Sequence, residues 1–177
     1  MTAAVRRPVA GFVLAGVLLL CSLATPSHAA SCPGADASGG SAQERTAAVL
    51  CVASQARARA HRSALRGASA LQRSAALKVD AIERCNAFTH TPCGSPMARA
   101  MQRSGYARGC YSVGENLAYV TPGVTPRQVV KAWLASPAHR ANLLDRRFRD
   151  TGVAGRMVTL AEAGRVELWV QHFGDRC

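Results

Sequence analysis

Aromatic residues are scarce in this chain, with two Trp, three Tyr and four Phe among 177 residues. A core with so few rings must be filled largely by Leu, Val and Ala. Acids are scarce too: ten Asp and Glu stand against 22 Lys and Arg, a formal net charge of +12. No C-x-x-C pair occurs, which argues against a zinc–thiolate site. No H-E-x-x-H sequence occurs, which removes the zincin helix. A G-x-S-x-G elbow is also missing, so Ser112, near His90 and Glu115 in order, lacks the context of a triad nucleophile. Aromatics are not interleaved with the arginines at 57, 59, 62, 66 and 73, as a single-strand nucleic-acid binder would need. A solvated helix face explains those arginines at least as well, and no specific nucleic-acid partner is expected. There is no internal repeat.

The apolar stretch from Gly11 to Ala24 falls short of the roughly 20 residues of a membrane-spanning helix. With Arg6 and Arg7 before it and Ser27-His28-Ala29 after it, residues 1–29 read as an export signal. Cys21 follows Leu18-Leu19-Leu20 with no small residue before it, which speaks against a lipoprotein anchor. We expect a soluble exported protein beginning near Ala30, with no transmembrane anchor. Loss of Arg6 and Arg7 leaves 20 bases against ten acids, a charge near +10. Six cysteines remain: Cys32, Cys51, Cys85, Cys93, Cys110 and Cys177. An even number in an exported chain implies a disulfide framework, with 15 connectivities open. Cys85 and Cys93 bracket His90 and are expected to pair, closing a short loop around that imidazole. Cys32–Cys51 and Cys110–Cys177 are the expectation for the rest, although the sequence does not determine the connectivity.

Residues 30–43, rich in Gly, Ser and Ala, read as a flexible leader, and residues 44–177 as a single domain. From Glu44 the pattern is helical: Val49, Leu50, Val52, Ala53 and Ala56 share a face, with Arg45, Arg57 and Arg59 mostly off it. A second helix is expected over 70–86, carrying Leu71, Ala75, Val79 and Ile82. Ser95-Pro96, Thr125-Pro126 and Ser136-Pro137 each read as a cap followed by Pro at the first helical position. Gln128 adds a capping box to the second of these. The tail changes period, with strands expected over 151–155 and 166–173, joined through Ala163-Gly164. Helices first and strands last indicate an α+β layered domain.

Three fragments far apart carry the chemistry: Phe88-Thr89-His90, Gly114-Glu115-Asn116-Leu117-Ala118, and Ser136-Pro137-Ala138-His139-Arg140-Ala141-Asn142-Leu143-Leu144. Their order and neighbours resemble bacterial members of the cysteine-rich secretory, antigen 5 and pathogenesis-related (CAP, or SCP-like) superfamily. The likeness runs from about Glu44 to Cys177. It implies a three-layer α-β-α sandwich around a small antiparallel sheet. It also implies that His90 and His139 face a cleft with Glu115 and can hold zinc or another divalent cation. His139 falls in the first turn of its helix, where the dipole disfavours the charged imidazole. The neutral ring is the form that binds a metal or takes a proton. Asn116 is expected to fix the carboxylate and line the ligand cleft. Gln171 shares a strand face with Trp169 and is expected in the cleft too, whereas His172, in phase with Leu168 and Val170, is expected to be half-buried. His61, among arginines, is expected to face solvent.

The chain also departs from the family pattern. No second acid follows Trp133, where animal and plant relatives have one, so the acid–histidine cluster is incomplete. The leading expectation is a secreted, monomeric CAP-domain protein whose cleft binds a small or lipid-like ligand, with the metal as an optional cofactor. The alternative is a metal-assisted hydrolase or peptidase with Glu115 as catalytic base. A third reading is a surface protein that binds anionic cell-wall polymers through charge.

Overall fold

The computed structural model describes residues 31–177; the expected export signal over 1–29 lies outside the described residues. Helix α1 (Ala42–Arg59) starts where Ser41 and Glu44 close a capping box, two residues ahead of the expected position. Helix α2 (Ser69–Cys85) buries Leu71, Ala75, Val79 and Ile82 and ends at Asn86, whose left-handed backbone stops it. A 3-10 turn at Pro92–Gly94 and helix α3 (Arg99–Arg103) follow. Helix α4 (Pro126–Ala135) has the expected Thr125–Gln128 capping box, and α5 (Pro137–Leu144) begins at Pro137.

The sheet has four strands in the order β1-β3-β4-β2, formed by Arg66–Gly67, Asp150–Leu160, Gly164–Arg176 and Tyr111–Val120 respectively. β2, β4 and β3 pair antiparallel, while the two-residue β1 runs parallel to β3, so the sheet is mixed rather than wholly antiparallel. Side chains alternate between two cores. On one face Val153, Trp169 and Phe173 meet Val49 and Val52 of α1, Val129 and Trp133 of α4, and Leu143 of α5. On the other, Leu117, Val158, Leu168 and Val170 meet Ala75, Val79 and Ile82 of α2. The architecture is an α+β three-layer sandwich. Gly152 lets α2 lie directly on β3, because a Cβ there would collide with the backbone of Leu71 and Gln72.

Disulfides join Cys32–Cys51, Cys85–Cys93 and Cys110–Cys177. The described part of the segment expected to be a flexible leader is mostly exposed but is tied to the domain at several points. Cys32 is tied to α1, Ala35 is buried and its carbonyl accepts from Arg127 N at 2.9 Å, and Asp36 takes a two-pronged contact from Arg127. Two arginines expected off the apolar face of α1 are buried as well. Arg45 pairs with Glu167 at 2.6 Å, and Arg57 donates to the carbonyls of Ser63, Leu143 and Asp145. Each guanidinium enters because acceptors on other elements saturate it.

Candidate functional site

Glu115 lies mid-strand in β2, on the face toward α2, and its side chain has no solvent exposure. A carboxylate is buried only if charge and hydrogen bonds replace water, and three groups do so here. His172, its cross-strand partner on β4, meets Oε2 through Nε2 at 2.8 Å. Lys78 of α2 places Nζ 3.2 Å from the same oxygen and donates to the His90 carbonyl at 2.7 Å. His90, held in the loop that Cys85–Cys93 closes, meets Oε1 through Nδ1 at 2.6 Å. Burial alone would raise the Glu115 pKa, but the hydrogen bond and charge of His172, then Lys78 and His90, hold it below the usual carboxylate range.

The Lys78–Glu115 pair is already neutral, so a second buried cation would go uncompensated. Burial accordingly lowers the His172 pKa, despite the opposing pull of Glu115. Neutral His172 donates from Nε2 to the carboxylate, and its Nδ1 lies 2.6 Å from Ser74 Oγ, which also contacts the Leu71 carbonyl at 2.8 Å. His90 donates from Nδ1, which among the described residues leaves Nε2 without a protein partner, on a ring whose side chain is 53% exposed.

His139 stands in the first turn of α5, half-buried, across the β2 edge. Burial lowers its pKa, and the neighbouring charge of His90 lowers it further, so the two imidazoles sense each other. Asn116 holds this helix in place. Its Nδ2 donates to the His139 carbonyl at 3.1 Å, while its Oδ1 accepts from Asn142, which also donates to the Glu115 carbonyl.

Two expected cleft residues are therefore placed differently. Asn116 is fully buried on the opposite face of β2 from Glu115 and anchors α5 rather than the carboxylate. Gln171 is fully buried on the same far face, donating to Thr151 Oγ1 at 3.2 Å. Its strand parity with Trp169 was read correctly, but that face turns toward α1 and α4. His172, expected half-buried, is fully buried and touches Glu115. His61 is exposed, with a left-handed backbone. Sequence reasoning missed Lys78 altogether, although a lysine inside the stripe of Leu71, Ala75, Val79 and Ile82 signals a buried charge that needs a partner.

The family model described as "cysteine-rich secretory protein family" (CAP) matches residues 52–173. The chain belongs to this family. Among solved structures, this CAP domain is similar to an outer surface protein from Borrelia burgdorferi (TM-score 0.64, 20% identity, 78% of this chain and 97% of that one). It is also similar to an extracellular SCP-domain protein from Bacillus anthracis (0.58, 18%, 76% and 44%). A cysteine-rich secretory protein from Staphylococcus aureus is comparable (0.55, 16%, 76% and 39%). The chain thus spans under half the length of the latter two. No curated protein matches it in sequence. At these identities the likeness establishes the fold.

Among the described residues, no group of three or more His, Cys, Asp or Glu side chains is placed to hold a metal ion. Both Glu115 oxygens are engaged, and the Lys78 ammonium opposes any cation brought onto Oε2. A His90–Glu115–His139 ligand set therefore does not fit. Glu115 fixes the orientation of His90 from behind, as outer-shell carboxylates do for metal-bound histidines.

Proposed function

We propose that this CAP-domain protein is exported and acts as a monomer that binds a small or lipid-like ligand beside His90 and His139, with zinc or another divalent ion as an optional occupant. The observation that carries the reading is the Glu115 Oε1 to His90 Nδ1 contact at 2.6 Å, which aims an unengaged Nε2 at solvent. His90 and His139 would hold the ion, and an ion there would polarise a ligand oxygen or a water. Glu115 orients His90. With no solvent exposure and a lowered pKa, it is poorly suited to act as the general base of the hydrolase alternative. The three disulfides suit an oxidising compartment, and no helix of the described residues is long and apolar enough to cross a membrane.

Zinc titration of tag-free protein tests this. The native chain should take up one ion. The His90→Ala/His139→Ala pair should take up none while keeping its far-UV spectrum, and Glu115→Gln should weaken uptake by roughly 10- to 100-fold. Undiminished zinc uptake by the double variant refutes the metal assignment. Mass spectrometry of co-purified small molecules identifies the ligand class. Peptidase activity that disappears in Glu115→Gln would instead restore the base role.

A further inference from the structure

At the far end of α5 from His139, a pocket of about 320 Å³ opens between the C-terminus of α1 and the loop leading into β3. Six residues line it: Arg57, His61, Arg62, Ser63, Arg146 and Arg149. Five residues of α5 follow His139, roughly 7.5 Å at the usual rise, and neither His90 nor His139 lines the pocket. It is therefore distinct from the site of the proposed function.

Its charge is not neutralised from within. Arg57 forms the buried wall and is held by the carbonyls of Ser63, Leu143 and Asp145. Arg62 gives only its Nε, to the Leu144 carbonyl at 3.0 Å, leaving both terminal amino groups uncommitted. Arg146 and Arg149 are exposed, and among the described residues neither their side chains nor that of Arg62 forms an ion pair. The Asp145 carboxylate, whose charge acts on Arg57, is gripped by Arg147 at 2.6 Å. Burial, then the charge of Arg62, disfavours the Arg57 cation; Asp145 opposes this and Arg149 adds to it. Like charges are thus held close around one concavity, with His61 and the Ser63 hydroxyl at its rim.

We propose that this pocket is an anion site for a multiply charged oxyanion of the phosphate class, either free or as a phosphomonoester at the end of a larger molecule. Guanidinium forks match phosphate oxygens in pairs, and three uncommitted forks suit an anion with two or more charges and several acceptor oxygens. A carboxylate would satisfy only one fork. The volume exceeds the ~30 Å³ share of a single water many times over, leaving room for two linked phosphates.

Calorimetric titration with inorganic pyrophosphate tests the site, with inorganic phosphate and glycerol 3-phosphate as further arms to separate free anion from ester. Native protein should bind one pyrophosphate, with an affinity that falls as sodium chloride rises. Arg146→Gln/Arg149→Gln, two exposed positions, should retain the native Tm and lose about tenfold or more in affinity. The His90→Ala/His139→Ala variant should bind pyrophosphate like native protein, so this result stands apart from zinc uptake. Native-like pyrophosphate binding by the double arginine variant, or several equivalent weak sites per chain, would overturn the proposal.

Discussion

Replacing Lys78 by Met isolates the charge that keeps Glu115 ionised inside the fold. Lys78 and Glu115 side chains are 3% and 0% exposed, with Nζ 3.2 Å from Oε2. The same ammonium donates to the His90 carbonyl at 2.7 Å. Methionine keeps an unbranched apolar stem of similar length, so packing changes little. What is removed is one partner of a buried ion pair, a loss of about 3–5 kcal/mol. For a domain of this size that corresponds to a fall in Tm of roughly 10 °C. Urea unfolding at pH 7 measures it, with the m-value as a check that unfolding remains two-state. The deficit should shrink in acid, where the stranded carboxyl protonates. In the double variant Lys78→Met/Glu115→Gln the buried charge is gone, and the two losses should fall short of additivity by about 1–3 kcal/mol. Strict additivity, or a single-variant loss under about 1 kcal/mol, would show that Glu115 does not depend on Lys78.

Three further expectations follow from the same coordinates. The folded pKa of Glu115 and of His172 is depressed, and so is that of His139. The unfolded chain therefore binds more protons in acid, and stability should decline from about pH 6.5 downward as the histidines titrate, and further below the ordinary Glu range near 4.3; a flat unfolding free energy between pH 7 and 4 contradicts this. Gly152→Ala forces a methyl into the backbone of Leu71 and Gln72, and should destabilise by about 3 kcal/mol or more, the upper end of overpacking losses; thermal melts against Gly67→Ala, where a Cβ meets nothing within 4 Å, supply the control. Removing Cys110–Cys177, with a sequence separation of 67, should lower stability by roughly 4 kcal/mol in the chain-entropy account, against about 2.5 for Cys85–Cys93, with a separation of 8. Loss of the shorter bridge should instead accelerate amide exchange around His90.

Local chemistry was readable in the chain because it acts over a few residues. The Thr125–Gln128 box, Pro126 and Pro137 at helix starts, and the apolar stripe of α2 all lie where the spacing puts them. The three histidine and glutamate motifs carry the family in the sequence itself. β2 was not foreseen: Gly114, Glu115 and Asn116 break the alternation of a strand, and pairing with β4 overrides that weak local preference.

Which residues touch Glu115 was decided only by tertiary structure. His172 is 57 positions away and reaches the carboxylate through the β2–β4 register, whose one-residue slip would turn Gln171 toward it instead. Lys78 arrives from a helix in another layer, and Asn116 turns away to pin α5. Sequence by itself determined the starts of α4 and α5, the apolar stripe of α2, the family and two of the imidazoles, because these depend on short-range caps, periodicity and motif. The helix expected at Ser95-Pro96, by contrast, begins only at Arg99. The partners of the buried charge depend on strand register and layer packing, which set distances between residues that no local pattern relates.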